Sequence, residues 1–553
     1  MFKEMLIDLL THATAQAQQS GKLPPVTLPP VTIERPQNPE HGDYASSLPL
    51  KLARSAGINP LEIARELVSL IPPAAEIKSI VAAPPGFINF TLTDDWLAQQ
   101  LESILKAEEA FGNIDLGHGS RVQVEFVSSN PTGPLHVAYG RAAVLGSTLS
   151  NVLAAAGFDV QREYYFNDAG NQMDIFGRSL YARYRQCLGD ADAEVLSDGY
   201  HGHYMVDLAQ AIINEQGERF LAIPESEAAL QVGKLGAERL MAQIKGELDL
   251  LRIEFDGWFT EQSLYDNGQF DKVMEILRKG GHLVEKEGAT WFTATALGED
   301  KDEVVVRSNG VPTYLATDIA YHYNKFVERK LDRVIDIWGA DHQGHVAGLR
   351  AAVGVLGVDL ERLVLIVHQL VTVHRGDEVV RISTRSGDII MLSDVIDEVG
   401  VDACRYFFLS RSANSQMDFD LELAKKEAPD NPVYYVQYAH ARIASILRVA
   451  KERGITYADG DVSLLTSEPE LTLIRKLLLL PEMVEVVVQT LEPHHLTYYA
   501  QDLATTFHSF YKLCRVISDD QALSKARLKL VEATKIVLAR TLHLMGMTAP
   551  DRM

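Results

Sequence analysis

The loop that leads to His136 carries residue types suited to binding a phosphate. It follows an alternating apolar stretch and precedes a helical pattern, so free backbone N–H groups and the helix dipole would face a bound anion. His136 can donate hydrogen bonds to charge that develops on a phosphate oxygen. A nucleotide could approach the backbone closely beside the small or rigid residues Ser129, Pro131, Gly133 and Pro134. The alternative is a plain turn with a histidine at the start of a helix.

Two further loops follow predicted strands. In Trp338–His345, polar groups crowd between glycines, which suits contacts to ribose or adenine, although a solvated turn with Asp341 as helix cap is an alternative. In Arg381–Gly387, two arginines flank hydroxyl groups, which suits a pyrophosphate because guanidinium binds such oxygens in pairs. An exposed basic turn explains the second loop equally well.

An acidic side chain could recognise a cation. Tyr314 and Asp318 are four residues apart and share one face if their segment is helical, so Asp318 either binds a cationic substrate or caps the following helix. Tyr165–Gln172 is a polar strand-to-helix turn, in which Asp168 could be a simple helix cap.

The elements around these residues predict a parallel α/β sheet. Val122, Val124 and Phe126 alternate like a strand, a helical pattern runs over 136–156, and 160–166 is a second strand. Such a strand–helix–strand unit is typical of a doubly wound, Rossmann-like sheet with ligands at the carboxyl ends of its strands. The pattern returns with predicted strands at 304–307, 334–338 and 363–367.

The rest of the chain suggests flanking domains. Residues 1–112 predict an α+β domain, with a helix from about Asn59 and strands at 80–83 and 87–92 around a Pro-Pro-Gly turn. A Rossmann-like α/β domain is placed at 113–415, with a mostly helical insertion at about 190–290. Long amphipathic helices predict an all-α domain at 416–553, where strands are expected to disappear.

Composition restricts the class of protein. The chain has 553 residues, 46% hydrophobic, and a net charge of −23, which argues against a partner held mainly by phosphate contacts. The acid excess lies in the middle of the chain, so charge neither supports nor excludes a nucleic-acid partner. We expect no membrane span and no structural metal, since the three cysteines are far apart and lack ligand spacing. A cytoplasmic protein is predicted, because Glu4 and Asp8 interrupt what would be the apolar core of a signal peptide.

Together these segments resemble the arginyl-tRNA synthetases, a family of class I aminoacyl-tRNA synthetases, along nearly the whole chain. Asn130–Tyr139 is similar to the family's HIGH signature, and Arg381–Arg385 to its KMSK loop. Those two elements alone specify only class I. The arginyl assignment depends on further similar segments in three domains: His41–Ala45, Pro85–Phe90, Tyr165–Gln172, Trp338–His345, Tyr435–Ile443 and Ala549–Met553.

The resemblance implies a two-step reaction. ATP with Mg²⁺ and L-arginine form arginyl-adenylate and pyrophosphate, and the arginyl group then passes to the 3′-terminal adenosine of tRNA(Arg). It also implies that the N-terminal domain binds the tRNA elbow, that the C-terminal domain binds the anticodon, and that the protein is a monomer.

The resemblance further implies roles for individual residues. His136 stabilises the α-phosphate, Tyr139 partly replaces a second histidine, and Arg381 and Arg385 hold the departing pyrophosphate. The arginine-binding residues are Glu125, Ser129, Asn130, Tyr314 and Asp318, the last two facing the guanidinium. The ATP-binding residues are Asn130, Pro131, Thr132, Gly133, Pro134, Leu135, Val137, Ala138, Gly140, Gly339, Asp341, His342 and Ser383.

Two departures from the family pattern leave alternatives open. Ala138-Tyr139 stands where the family usually has Gly-His, and Arg381–Thr384 contains neither KMSK lysine. A catalytically weakened paralogue that binds tRNA or regulates is therefore the second candidate. A ligase for another amino acid is a third, which Asp318 disfavours.

Overall fold

The N-terminal region is α+β, as predicted, in a computed structural model that describes residues 2–168, 170–380 and 390–553. The helix predicted near Asn59 is present, because the Asn59 side chain accepts a hydrogen bond from the Leu61 N–H (2.9 Å) and Pro60 occupies the first turn. Strands β2 and β3 pair antiparallel around the Pro-Pro-Gly turn, and β1 pairs with β3. The elements are α1 (Phe2–Gln19), β1 (Tyr44–Ser46), α2 (Leu48–Ala56), α3 (Pro60–Leu70), β2 (Ile77–Ala83), β3 (Phe87–Leu92) and α4 (Asp94–Ala107).

The predicted strand–helix–strand unit is confirmed. Strand β4 (Arg121–Glu125) pairs parallel with β5 (Asp159–Phe166), and α5 (Val137–Ala155) connects them. Most residues of α5 are buried, so this helix is covered on nearly all sides.

The region from 171 to 306 is less uniformly helical than its sequence suggests. Gly257–Thr260 adds a strand to the main sheet, and Glu303–Val306 joins a separate antiparallel sheet instead of the parallel one. Both strands have four residues, too few to produce a distinctive alternation. The elements are α6 (Asn171–Cys187), α7 (Tyr204–Gln216), α8 (Glu225–Leu250), β6 (Gly257–Thr260), α9 (Gln262–Asp266), α10 (Gln269–Lys279), β7 (Leu283–Lys286), β8 (Ala289–Phe292) and β9 (Glu303–Val306).

The main sheet has the doubly wound topology that was predicted. After α11 (Tyr314–Tyr323), strand β10 (Arg333–Gly339), helix α12 (Val346–Val355) and strand β11 (Leu363–His368) complete it. Its order is β11-β10-β4-β5-β6, with all neighbours parallel. The chain moves outward from β4 in one direction through β5 and β6, and in the other through β10 and β11. The topological switch point therefore lies between β4 and β10.

The remaining residues are mainly helical. One short strand, β14 (Met417–Asp420), lies beyond residue 415, contrary to the expectation that strands disappear there. It pairs parallel with β12 (Val371–Arg375). The elements are β12 (Val371–Arg375), β13 (Glu378–Val380), α13 (Leu392–Val399), α14 (Val401–Leu409), β14 (Met417–Asp420), α15 (Leu421–Lys425), α16 (Pro432–Glu452), α17 (Glu468–Leu477), α18 (Leu480–Thr490), α19 (His495–Leu513) and α20 (Gln521–Leu544). In the part of the chain that the structure describes, no helix is long and apolar enough to cross a membrane.

The chain forms two compact units. The first holds the residues up to Glu108 with Ile446–Leu478 and Thr506–Thr534, and the second holds Glu109–Ser445, Leu479–Thr505 and Lys535–Met553. The C-terminal helices thus supply residues to both units.

A buried arginine fastens the end of the chain within the second unit. Arg405 is fully buried and donates to the backbone carbonyls of Met545 and Leu251 (2.7 Å each) and to the Ser147 hydroxyl (3.1 Å). Burial lowers the pKa of this guanidinium to about 9. Hydrogen bonds from a charged donor to neutral oxygens therefore connect three distant parts of the chain.

Candidate active site at the switch point

The loop after β4 emerges at the switch point and is held in an uncommon backbone conformation. Val127 and Ser128 have positive φ values of 71° and 44°, which cost free energy for residues other than glycine. The Ser128 hydroxyl donates to the Glu125 carboxylate (2.9 Å) and accepts from the Tyr165 N–H (3.2 Å). The end of β5 and the base of the loop thus fix each other.

Asn130 ties the same loop to the turn that follows β5. Its side-chain N–H donates to the Gln172 side chain (2.7 Å), and its side-chain oxygen accepts from the Asn167 N–H (3.0 Å). Both ends of this amide are occupied by protein partners. The Ser129 backbone is held similarly, since its N–H and carbonyl both bond to the Tyr164 hydroxyl (3.1 and 2.9 Å).

His136 is the N-cap residue of α5 and lies beside Met391, which follows the basic loop Arg381–Gly387 in the chain. His136 forms an antiparallel bridge with Met391, and the Leu392 N–H donates to the Leu135 carbonyl (2.9 Å). The predicted pyrophosphate residues Arg381 and Arg385 and the predicted ATP-binding residue Ser383 lie outside the described residues.

His136 and Tyr139 lie side by side, with ring centroids 4.3 Å apart. Burial lowers the pKa of His136, with Asp341 opposing the shift, so the free protein holds a largely neutral imidazole at neutral pH. Burial raises the pKa of the Tyr139 phenol, and a hydrogen bond with the Ser129 side chain opposes this only in part. Both groups therefore present neutral hydrogen-bonding atoms.

Several predicted ATP-binding residues pack the loop against the protein interior. Leu135 and Val137 are fully buried. Gly140 is buried too, and a Cβ there would lie 2.6 Å from Leu392 Cδ1 and 2.9 Å from a Phe408 ring carbon, so glycine permits this close approach. The other predicted ATP-binding residues of this segment differ in exposure. Pro131 and Thr132 are buried, while Gly133, Pro134 and Ala138 are partly exposed.

A cavity of about 680 Å³ lies over this loop. It is large enough for a nucleotide or an aminoacyl-adenylate. Its lining joins the predicted loop to a second segment, Ser197–Tyr204, which the sequence did not identify: the full lining is Ser129, Asn130, Thr132, Gly133, Pro134, His136, Tyr139, Gln172, Ser197, Asp198, Gly199, Tyr200, His201, Gly202, His203, Tyr204 and Met391.

An acidic cluster occupies the neighbouring part of the sheet edge. Asp318 is partly buried on α11, and no hydrogen bond or ion pair joins its carboxylate to another described residue. Burial raises the pKa of Asp318 well above its usual range, and the nearby Glu125 and Glu261 carboxylates raise it further. Tyr314, one turn earlier on the same helix, is 51% exposed. A bound cation would therefore stabilise the charged form of this carboxylate.

Two buried side chains, Lys325 and His322, hold part of this cluster in place, which sequence reasoning missed. Lys325 is fully buried and bonds to Glu125 Oε2 (2.5 Å) and Asp336 Oδ1 (2.8 Å), and His322 Nε2 contacts Asp336 Oδ2 (2.8 Å). Burial opposes the charge on Lys325, but Asp336 and Glu125 outweigh it and raise the lysine pKa. Glu125 is therefore already paired within the protein.

The loop after β10 completes the edge. Asp341 and His342 have highly exposed side chains, 81% and 56%, with His342 Nε2 3.5 Å from the Asp341 carboxylate, and Gly339 ends the strand. His368, at the end of the adjacent β11, was also missed. Burial lowers the His368 pKa to about 4, with Arg141 and His136 contributing in the same direction. Its place at a strand exit is the signal that could have found it.

Sequence profiles of known families match three parts of the chain. The N-terminal domain of arginyl-tRNA synthetase matches residues 4–92, the catalytic domain of class I tRNA synthetases (R) matches 100–421, and the DALR anticodon binding domain matches 436–553.

Relatives similar over the whole length carry one name. The chain is 56% identical over 551 residues to an arginine–tRNA ligase of Dehalococcoides mccartyi, covering 100% of this chain and 99% of that one. It is 48% identical to the arginine–tRNA ligase of Heliobacterium modesticaldum over 533 residues, 95% of this chain and 94% of the other. Its fold is similar to that of Thermus thermophilus arginyl-tRNA synthetase, with a TM-score of 0.77, 22% identity and full coverage of both chains.

Proposed function

The chain belongs to the arginyl-tRNA synthetase family of class I aminoacyl-tRNA synthetases, and from this we propose the reaction that its site performs. The protein is an arginine–tRNA ligase that uses ATP. It activates L-arginine as arginyl-adenylate, releases pyrophosphate, and transfers the arginyl group to the 3′-terminal adenosine of tRNA(Arg).

One observation carries the proposal. A loop suited to phosphate and a partly buried carboxylate without a partner among the described residues lie along the same edge of the sheet, at the switch point between β4 and β10. The phosphates of ATP need such a loop, and the guanidinium of arginine needs such a carboxylate. A site for adenylation of arginine requires both at once, since its chemistry consists of positioning and charge neutralisation.

We assign the phosphate chemistry to His136 and Tyr139. Both offer hydrogen bonds to the α-phosphate as charge develops on it, from a loop that is braced before the substrate arrives. The negative phosphates would also favour protonation of His136, which the free protein disfavours. Arg381 and Arg385 are proposed to hold the pyrophosphate.

Recognition of arginine is assigned to Asp318, with Tyr314 beside it on α11. The carboxylate would meet the guanidinium in a partly buried site, where lysine offers only a point charge and neutral citrulline leaves the carboxylate unpaired. Glu125 is proposed to act through the negative field of the cluster and through its bond to Ser128, because Lys325 already pairs with it. The backbone at Ser129 and Asn130 would position the amino and carboxylate ends.

The remaining partners follow from the same assignment. Among the described residues the cavity lining offers one carboxylate, Asp198, so a magnesium ion would be held mainly by the phosphates of ATP. The match of residues 4–92 to the family's N-terminal domain supports contact with the tRNA elbow, and the match of 436–553 supports anticodon binding. The cytoplasmic location and the monomeric state stay predictions.

Amino-acid-dependent ATP–pyrophosphate exchange tests the function. Each amino acid is assayed with and without tRNA(Arg), and exchange with arginine alone among them is the expected result. Exchange with a different amino acid would refute the substrate assignment. No exchange under any condition would favour a tRNA-binding paralogue, the alternative that Ala138 and Tyr139 leave open.

A further inference from the structure

The segment between β5 and β6 contributes directly to the cavity over the loop that leads to His136. Residues 197–204 form part of its lining, opposite residues 129–136. They belong to the region that the sequence describes only as an insertion. The tyrosine at the end of this segment makes a direct polar contact to the loop.

Tyr204 is the first residue of α7, and its hydroxyl donates to the backbone carbonyl of Thr132 at 2.8 Å. The Thr132 N–H is occupied within the loop, donating to the Asn130 carbonyl at 2.8 Å. The position of the phenol is well fixed, since the next residue, Met205, is fully buried in the apolar cluster of α6, α7 and α8. A rigid helix end thus holds the middle of the loop.

Three parts of the chain brace the loop at successive points. The turn after β5 holds Asn130, Tyr204 holds Thr132, and Leu392 holds Leu135. We infer that Tyr204 is a positioning residue for adenylation, fixing the loop in the conformation that accepts ATP. The inference deepens the proposed function and rests on it.

The expected consequence of losing this bond is a misplaced nucleotide. A displacement of about 1 Å at a reacting centre can lower a rate by about a hundredfold, so a smaller shift of a braced loop should cost roughly tenfold. The effect should fall on ATP, whose phosphates face the loop. Recognition of the guanidinium is assigned to α11, and Ser129 and Asn130, assigned to the other end of arginine, keep hydrogen bonds of their own, so the KM for arginine should be unaffected.

The test compares Tyr204→Phe with Tyr184→Phe as a matched control. The Tyr184 hydroxyl donates to the Gly217 carbonyl (2.6 Å), and its ring is buried in the same apolar cluster. Both changes remove one phenol–carbonyl hydrogen bond. Tyr184, however, lies twelve residues beyond Gln172 on α6, about 18 Å along the helix axis from the cavity lining.

Pyrophosphate exchange at saturating tRNA is measured for wild type and both variants, together with thermal unfolding. We expect Tyr204→Phe to lose about tenfold in kcat/KM for ATP at unchanged KM for arginine, and Tyr184→Phe to stay within about twofold of wild type, with similar unfolding midpoints. Equal losses in both variants, or none in Tyr204→Phe, would overturn the inference. An inactive wild type would instead refute the proposed function.

Discussion

Replacing Asp318 by asparagine should separate substrate recognition from stability. The change keeps the shape of the side chain and removes its charge. A hydrogen bond to a charged partner contributes roughly 1.5–3 kcal/mol, so the KM for arginine should rise by about ten- to a hundredfold. The KM for ATP should change little, because the phosphate-binding loop is separate from α11.

The pH dependence gives a second measure of the same group. Because burial and neighbouring carboxylates raise the Asp318 pKa, the free protein takes up a proton here as the pH falls through that raised value. The guanidinium then loses its charged partner. In wild type the KM for arginine should increase toward acid pH, and in Asp318→Asn this dependence should be largely lost.

The stability of Asp318→Asn should change in the opposite direction to its affinity for arginine. A carboxyl with a raised pKa in the folded state binds more protons there than in the unfolded chain, so its stabilising contribution is present at low pH and is lost as the pH rises through the folded-state pKa. At neutral pH the asparagine variant should therefore unfold at a higher temperature than wild type, in the absence of ligand.

Steady-state kinetics across pH and thermal unfolding check both effects. Asp359→Asn serves as control, since Asp359 caps a short 3-10 turn and an amide caps equally well. Unchanged arginine kinetics in Asp318→Asn would refute the role of Asp318. A lower unfolding temperature would show that the carboxylate stabilises the free protein, contrary to the reasoning from its burial.

Five other substitutions have distinct expected outcomes. Tyr139→Phe should slow single-turnover adenylate formation by about 10²-fold, while Tyr139→His retains activity and His136→Ala is the most damaging; a harmless Tyr139→Phe would show that the phenol only packs. Lys325→Met should lower the free energy of unfolding in urea by about 3–5 kcal/mol, because two buried carboxylates lose their cation, and a loss under about 1 kcal/mol would contradict this. Gly546→Ala should destabilise by about 1–3 kcal/mol in thermal unfolding, since the added Cβ would overlap the Arg405 guanidinium; an unchanged midpoint would contradict the packing described.

Local patterns predicted the central fold well. The alternation of Val122, Val124 and Phe126 identified β4, because side chains two apart on a strand share a face. The four-residue strands β6 and β14 were not predicted, since so short a segment shows no clear hydrophobic period.

The candidate site was predictable where its residues are contiguous and not where the fold assembles them. The loop before His136 could be identified from its composition and its place before a helix. The Lys325–Glu125 pair joins residues 200 positions apart, and nothing in either neighbourhood specifies the other. The same holds for Tyr204, because its proposed role depends on a hydrogen bond to a backbone carbonyl 72 positions earlier.

The bonds of Arg405 have a consequence for the order in which the newly made chain can fold. The oxygens that satisfy this guanidinium come from residues 147, 251 and 545, and the last of these is synthesised 140 residues after Arg405. Until then the nascent chain would have to bury a cation that lacks one of its partners, at a cost of order 1–3 kcal/mol or more. We expect a chain truncated before Met545 to be more accessible to proteolysis than one that contains it, so that synthesis of this residue is itself a condition for a fully stable fold around Arg405.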